Sequence, residues 1–409
     1  MIKFFKKYHK WLSLIFTLFI LFFSVSGIVL NHREMLSGVD VSRNWLPDNY
    51  KYTHWNNAAV AGTCPVGYDS LLIYGNIGLW LTDRQGQKFV DFNNGFPEGT
   101  DNRKISKVVR LSDGTLFAGS YFGLYQFDTS SKSWYKVAIP SDENRITDLV
   151  SKGDSLLVLT RSHLLISAHH DGDFKVIQLP PPLGYNNKSN LFKTLWIIHS
   201  GEILGLPGIL LVDFIGLIFL FLTMTGLIYW LVPYYTRRKK RATGSSSSRA
   251  IRWRRFSLKW HNKIGWTMLL LLIITTSTGM FLRPPLLAAI FNAQVGKIPY
   301  SILDTPNPWF DKLRRILYDP SEDQYFIATL DGIYRTGGGI TEPLQYVNHQ
   351  PPASVMGVNV FEFTQQHFLL VGSFEGLFLW NPVSGYVMDY IKKGPVQQKA
   401  AGGPPIGEF

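Results

Sequence analysis

KYHKWLSLIFTLFILFFSVSGIVL, residues 7–30, is the stretch that sets the class of this chain. Residues 11–30 carry no charge, and twenty residues at ~1.5 Å rise cross a ~30 Å hydrocarbon core. The basic start MIKFFKK and the small residues Ser24, Val25 and Ser26 would also suit a cleaved leader. Recurrence of the pattern deep in the chain favours a span. KWHNKIGWTMLLLLIITTSTGMFL, residues 259–282, aligns with the first stretch without a gap. His9 matches His261, and 18 residues beyond each comes a glycine behind Ser or Thr, Gly27 and Gly279. Between them, residues 209–232 form another apolar run, opened by Leu206-Pro207-Gly208 and holding Thr223-Met224-Thr225-Gly226. Small residues at such positions let helices approach closely.

Charge gives the orientation. Residues 1–10 and 236–263 hold 15 of the 41 Lys and Arg and no acid, leaving the remainder slightly acidic. Basic excess beside apolar runs is the positive-inside pattern, whereas a nucleic-acid binder carries it on a folded, aromatic-studded face. Nucleic acid is therefore excluded as a partner, and the lipid bilayer is expected. The expected segments are a first span over 1–32, a β-rich outer part over 33–190, and an amphipathic lead-in with a second span over 191–235. A flexible basic inner loop over 236–260, a third span over 261–283, and a second β-rich outer part with a polar tail over 284–409 follow. Parallel repetition suggests a duplicated half. The first half returns to the membrane, but the second ends in GGPPIGEF, so a fourth span is expected to be missing; a three-span protein is the alternative.

The outer parts read as short β-branched and aromatic runs broken by Gly, Asn, Asp and Ser. AGSYFGLYQFD from Ala118 and VGSFEGLFLWN from Val371 are copies of one pattern. Looser copies are YGNIGLWLTD from Tyr74 and ATLDGIYRTG from Ala328, with a degenerate one over 156–167. A strand, a tight turn and an aromatic strand at a period near forty residues is how a propeller blade is written, and the copies resemble two-component-regulator propeller repeats. Two separate small sheets are the rival. The expected fold class is mixed: an α-helical transmembrane bundle plus an all-β, propeller-like extracytoplasmic domain. The single cysteine, Cys64, permits no internal disulfide, no zinc-type set and no covalent haem motif.

Six of the ten histidines, His54, His163, His169, His170, His349 and His367, fall in the β-rich parts and read as ordinary surface residues; His169 beside His170 could hold a metal adventitiously. The other four sit at membrane edges: His9 and His261 inside, His32 and His199 outside. Each alone reads equally as an interfacial anchor. Two per face suit bis-histidine ligation of haem iron, pairing His9 with His261 and His32 with His199. Along a straight helix His9 and His32 would be ~35 Å apart. Asp213, about one turn inside the second apolar run, is costly in lipid and is expected to orient a ligand or relay a proton, or else to be a hydrated edge residue. Arg33 and Arg283 flank spans and could pair with haem propionates or act as interfacial charges.

Residues 9–32, 199–231 and 260–282 resemble the PepSY-associated transmembrane-helix family, with its His-entry spans, His…Gly-x-Pro-Gly segment and Ser/Thr-Gly exits. Family members are four-span inner-membrane proteins, some of them siderophore-linked ferric reductases with b-type haem. The resemblance implies one or two haem b groups on His9, His32, His199 and His261, a cytoplasmic electron donor, and a ferric chelate or an iron-uptake protein as partner. It also implies a bacterial inner membrane, with the N-terminus in the cytoplasm and the β-rich part in the periplasm. The propeller-like outer part departs from the small PepSY module, so the acceptor could differ. Two functions follow as expectations: transmembrane electron transfer, with ferric reduction as one form, or a membrane-anchored sensor or scaffold without catalysis. No peptidase constellation is present.

Overall fold

The computed structural model describes residues 2–53, 57–168, 172–245, 247–290, 293–352, 357–373 and 375–396. His54, His169 and His170 lie outside the described residues. The chain divides into two compact units: residues 1–36 with 187–304, and residues 37–186 with 305–409.

The first unit is helical. Helix α1 spans Ile2–Asn31. Helix α2, Leu191–Ser200, is started by the Asn190 side chain accepting from the amides of Phe192 and Lys193, and stopped by Gly201 at φ 83°. Helix α3, Leu206–Thr243, follows at once. A Cβ on Gly201 would lie 2.2 Å from the Gly208 carbonyl oxygen, and one on Gly208 2.1 Å from that of Gly201. The Leu206-Pro207-Gly208 break is thus a reversal that only glycine admits. A short antiparallel ribbon of Lys188–Asn190 with Gln294–Gly296 ties the two ends of the unit together.

One expectation needs correcting, and another is qualified. The basic stretch 236–260 is mostly helix: α3 runs through Arg237, Arg238 and Lys239 to Thr243, and α4 spans Ser248–Thr267. Only 244–247 connect them, because Gly244 takes a left-handed turn and Ser247 caps α4 at the Ala250 amide. The third apolar run is also broken, since α4 and α5 (Leu269–Met280) meet at 69°. Among the described residues, two helices are long and apolar enough to cross a membrane, and the bent pair makes a third if it counts as one span. Helix α1 packs on α3, α3 on α4, and α2 on α5. Glycine allows the first contact, since a Cβ on Gly216 would lie 3.2 Å from Ile28.

The second unit is a run of antiparallel meanders. They are β1–β4 (Gly62–Pro65, Ser70–Gly75, Gly78–Asp83, Phe89–Asp91) and β5–β8 (Ile105–Arg110, Leu116–Ser120, Gly123–Asp128, Ser133–Val137). Next come β9–β12 (Asp148–Lys152, Ser155–Leu159, Leu164–Ser167, Lys175–Ile177). The numbers β13 and β14 belong to the ribbon above. Then follow β15–β18 (Leu313–Asp319, Gln324–Thr329, Gly332–Gly337, Gln345–Tyr346) and β19–β23 (Val360–Phe363, Leu369–Ser373, Gly376–Trp380, Val387–Asp389, Gly394–Pro395).

All five sequence copies fall on the hairpin between the second and third strands of a meander. In four of the five the turn is held by a hydroxyl at the end of the second strand, whereas the first has Gly75 there. Ser120 Oγ accepts from the Phe122 amide and donates to the Gly123 carbonyl, and Thr329 Oγ1 does the same with Asp331 and Gly332. Thr160 repeats the device in the degenerate copy, with His163 where the others have glycine. Successive meanders share apolar cores. Trp134 closes the first on the second, Phe117 and Leu156 the second on the third, Trp309 and Leu157 the third on the fourth, and Trp380 and Phe326 the fourth on the fifth. Burying one such large side chain contributes about 2–3 kcal/mol.

Candidate functional site

The helical unit gathers its histidines by one repeated device. On α3, the Thr225 hydroxyl donates back to the Phe221 and Leu222 carbonyls at 2.8 and 3.0 Å, and Gly226 follows it. His261 of α4 lies against this turn, with Nδ1 3.1 Å from the Leu222 carbonyl and 3.1 Å from Thr225 Oγ1. On α5, Thr278 bonds back to Ile274 and Thr275, and Gly279 follows it. His199 of α2 lies there, with Nδ1 3.0 Å from the Thr275 carbonyl and 3.3 Å from Thr278 Oγ1. A carbonyl only accepts, so Nδ1 carries the proton in both rings and Nε2 keeps its lone pair. Orienting a histidine through its second nitrogen is how a metal-binding imidazole is held. The glycines supply the space: a Cβ on Gly279 would lie 2.8 Å from His199 Cε1, and one on Gly226 3.5 Å from His261 Cε1. The Ser26-Gly27 copy on α1 has nothing within 4 Å of where a Cβ on Gly27 would lie.

His9 and His261 come together. Their ring centres are 6.1 Å apart at an interplanar angle of 56°, and His9 Nδ1 lies 3.4 Å from Ser13 Oγ. Two imidazoles sharing one metal ion would have ring centres roughly 6 Å apart, from metal–nitrogen bonds of about 2 Å and the radius of each ring. The pair fits bis-histidine ligation.

His32 and His199 are not brought together; no ring contact joins them among the described residues. The cause is Asp213, which is buried on α3 and takes His32 for itself. Its carboxylate accepts from His32 Nε2 at 2.6 Å and from Asn31 Nδ2 at 2.9 Å. Asp213 orients a histidine, but the bond consumes the nitrogen opposite to the one used in His261 and His199. Arg283 forms no ion pair among the described residues, and Arg33 lies just beyond α1. No group of three or more His, Cys, Asp or Glu positioned to share a metal occurs among the described residues.

The β unit holds a second feature that the sequence reading missed. The first strands of the five meanders, each a sheet edge, border one cavity of about 860 Å³. Four buried or half-buried charges knit its wall. Lys107 of β5 pairs with Glu362 of β19. Arg315 of β15 donates to the Ser106, Thr147 and Asn359 carbonyls at 3.3, 3.4 and 2.9 Å and lies 3.5 Å from Asp148 Oδ1. The Ile316 amide donates to Asp148 Oδ2 at 3.0 Å. Burial lifts the Asp148 carboxyl above its ordinary range, only partly opposed by Arg315 and Lys107. Burial works against the Lys107 charge, but Asp148, Tyr74 and Glu362 outweigh it and hold the ammonium above its ordinary range. Burial pushes the Tyr74 hydroxyl up to about 12 and raises the Cys64 thiol; Cys64 is free and buried, as its solitude in the sequence requires. Charged residues inside otherwise apolar strands, as in ISKVVR and LRRILYD, were the available signal.

The family model of the PepSY-associated TM region matches residues 2–233, more than half of the chain. The chain belongs to the PepSY-associated transmembrane family. It is a membrane protein whose matched region brackets α1, the first three meanders, α2 and most of α3. No curated protein matches it. Among solved structures, it is similar to the extracellular domain of a protein described as a one component system from B. thetaiotaomicron. That match has 11% identity and a TM-score of 0.41, covering 84% of this chain and 29% of the other. The extracellular domain of a hybrid two component system from B. thetaiotaomicron follows at 10% identity and a TM-score of 0.36, covering 82% and 34%. PorZ of Porphyromonas gingivalis follows at 12% identity and a TM-score of 0.30, covering 76% and 37%. The chain thus spans about a quarter to a third of the length of the first of these structures.

Proposed function

We propose that this family member is a b-type haem protein that moves electrons across a bacterial inner membrane to an extracytoplasmic acceptor. The 6.1 Å approach of His9 and His261, on separate helices, carries the reading. When bound, the haem would supply reversible one-electron chemistry. The protein's part is positional: the Leu222 carbonyl fixes the His261 tautomer, and Ser13 stands at the matching nitrogen of His9. His199, oriented in the same way by Thr275, offers a ligand at a second level. We take the basic α3–α4 connection as cytoplasmic on its charge, with His9 and His261 on the donor side and the β unit periplasmic. A cytoplasmic donor and a ferric chelate or comparable acceptor complete the proposal. It is tested in vesicles bearing the protein in one orientation, with ferricyanide trapped inside and a membrane-impermeant reductant outside. Reduction of the trapped ferricyanide, abolished in His261→Ala, is expected; reduction no faster than in empty vesicles overturns it.

The second reading takes the spans as anchors and the β unit as a sensor or scaffold. We read the five meanders as blades of one small propeller, supported by the shared cavity and by the Lys107–Glu362 pair joining β5 to β19. Closure of that kind removes exposed sheet edges. The cavity is the observation that favours a binding role.

A further inference from the structure

Four of the five charged residues around the β-unit cavity are matched to one another; Arg110 is not, and neither is the buried Tyr74 hydroxyl. Tyr74 is 2% exposed, and its hydroxyl makes no hydrogen bond among the described residues. A buried phenol ordinarily finds a partner. The ring lies across β1, where a Cβ on Gly62 would come within 2.4 Å of the hydroxyl oxygen, and Tyr74 lines the cavity. Arg110, exposed at the end of β5, lines the same cavity, and its guanidinium has neither ion pair nor hydrogen bond among the described residues. The other charges cancel as Lys107 with Glu362 and Arg315 with Asp148. Tyr74 thus offers a neutral donor that no protein group among the described residues takes, and Arg110 a solvent-facing cationic fork, on a wall that also carries the exposed side chains of Thr63 and Asn359.

We infer that the cavity binds a small anion, a carboxylate or a phosphate, which accepts from the Tyr74 hydroxyl and the Arg110 guanidinium. A guanidinium fork suits both anions, since each presents two oxygens side by side. About 860 Å³ is in the range of small-molecule sites and holds an organic acid or a phosphorylated metabolite whole. The phenol stays protonated at neutral pH, because burial moves its ionisation up to about 12. Edge strands add backbone groups for the rest of the ligand. The inference supplies a ligand chemistry for the second reading above and is independent of haem.

The test is calorimetric titration of the full chain in neutral detergent at pH 7 with citrate, with inorganic phosphate, and with glucose as an uncharged probe. One saturable site per chain for citrate or for phosphate is expected, and the better anion tells the class. Tyr74→Phe keeps the ring and removes only the donor, and it should weaken that site about tenfold. Arg110→Gln should weaken it at least as much. Arg84→Gln, which alters a cation stacked on Tyr68 and not lining the cavity, should leave it unchanged. Saturation by neither anion overturns the inference, as does binding indifferent to both cavity variants or weakened equally by Arg84→Gln. Glucose binding with no anion binding overturns the anion assignment while leaving a ligand-binding β unit standing.

Discussion

Removing His32 should destabilise the helical unit far more than neutralising its partner. Asp213 is 8% exposed and sits within a helix long and apolar enough to cross a membrane. Its carboxylate is satisfied by two side chains, His32 at 2.6 Å and Asn31 at 2.9 Å. In His32→Ala the carboxylate keeps only Asn31. Leaving a buried charge without its partner costs about 3–5 kcal/mol, and the remaining amide bond offsets part of this, so about 3 kcal/mol is expected. In Asp213→Asn the charge itself is gone, and an amide oxygen still accepts from His32. That exchange of a charge-assisted bond for a neutral one costs about 1–1.5 kcal/mol. The double variant has no charge to strand and should be about 1.5 kcal/mol more stable than His32→Ala alone. Equilibrium unfolding in mixed micelles titrated with an anionic detergent reads all four forms as a double-mutant cycle. Additive losses, or Asp213→Asn costing as much as His32→Ala, would refute the claim that His32 exists to satisfy Asp213.

Gly279→Ala should disturb its histidine and Gly226→Ala should not, because the new methyl meets His199 at 2.8 Å but His261 at an ordinary 3.5 Å. Loss of the His199–Thr275 bond costs about 1 kcal/mol in thermal stability, and equal behaviour of the two variants would count against the paired-cup geometry. Arg315→Met should lower the stability of the β unit by about 3–5 kcal/mol, since it strands fully buried Asp148 and frees three carbonyls; a loss below 1 kcal/mol on denaturant unfolding would show that the ionic wall is dispensable. The Tyr74 hydroxyl is raised on folding from 10.0 to about 12, so the unfolded chain sheds that proton first. Stability should therefore fall between pH 10 and 12, by up to about 2–3 kcal/mol from this group, and Tyr74→Phe should flatten the fall. Identical slopes in the two proteins would contradict it.

The parts of this protein that were legible from sequence are those written as local period. The apolar runs marked α1 and α3, and the repeat of a strand, a tight turn and an aromatic strand marked the middle hairpin of every meander, even where His163 replaces the glycine. The bend in the third run was not legible because hydropathy carries no information about one: residues 264–282 hold no charge, yet the chain turns by 69° at Met268. The basic loop was misread in the opposite sense, since Lys and Arg at 237–241 and 249–255 are good helix formers as well as topological signals. For the sites, pairing by membrane face set His9 against His261, and their ring centres lie 6.1 Å apart. It failed for His32 because depth along a helix says nothing about rotation around it, and Asp213 faces His32 first. The carbonyls of Leu222 and Thr275, which fix the imidazoles, have no side-chain signature. The cavity wall of Lys107, Asp148, Arg315 and Glu362 draws on four different strands and could not be assembled without the fold.

The most direct test of the electron-transfer reading is the reduced-minus-oxidised absorption spectrum of detergent-purified protein from haem-replete cells, with haem quantified per chain. The account predicts a sharp low-spin b-type band at one or more haems per chain, with a component lost in both His9→Ala and His261→Ala and retained in His32→Ala. A colourless protein, or a spectrum that survives both His9→Ala and His261→Ala, would contradict it.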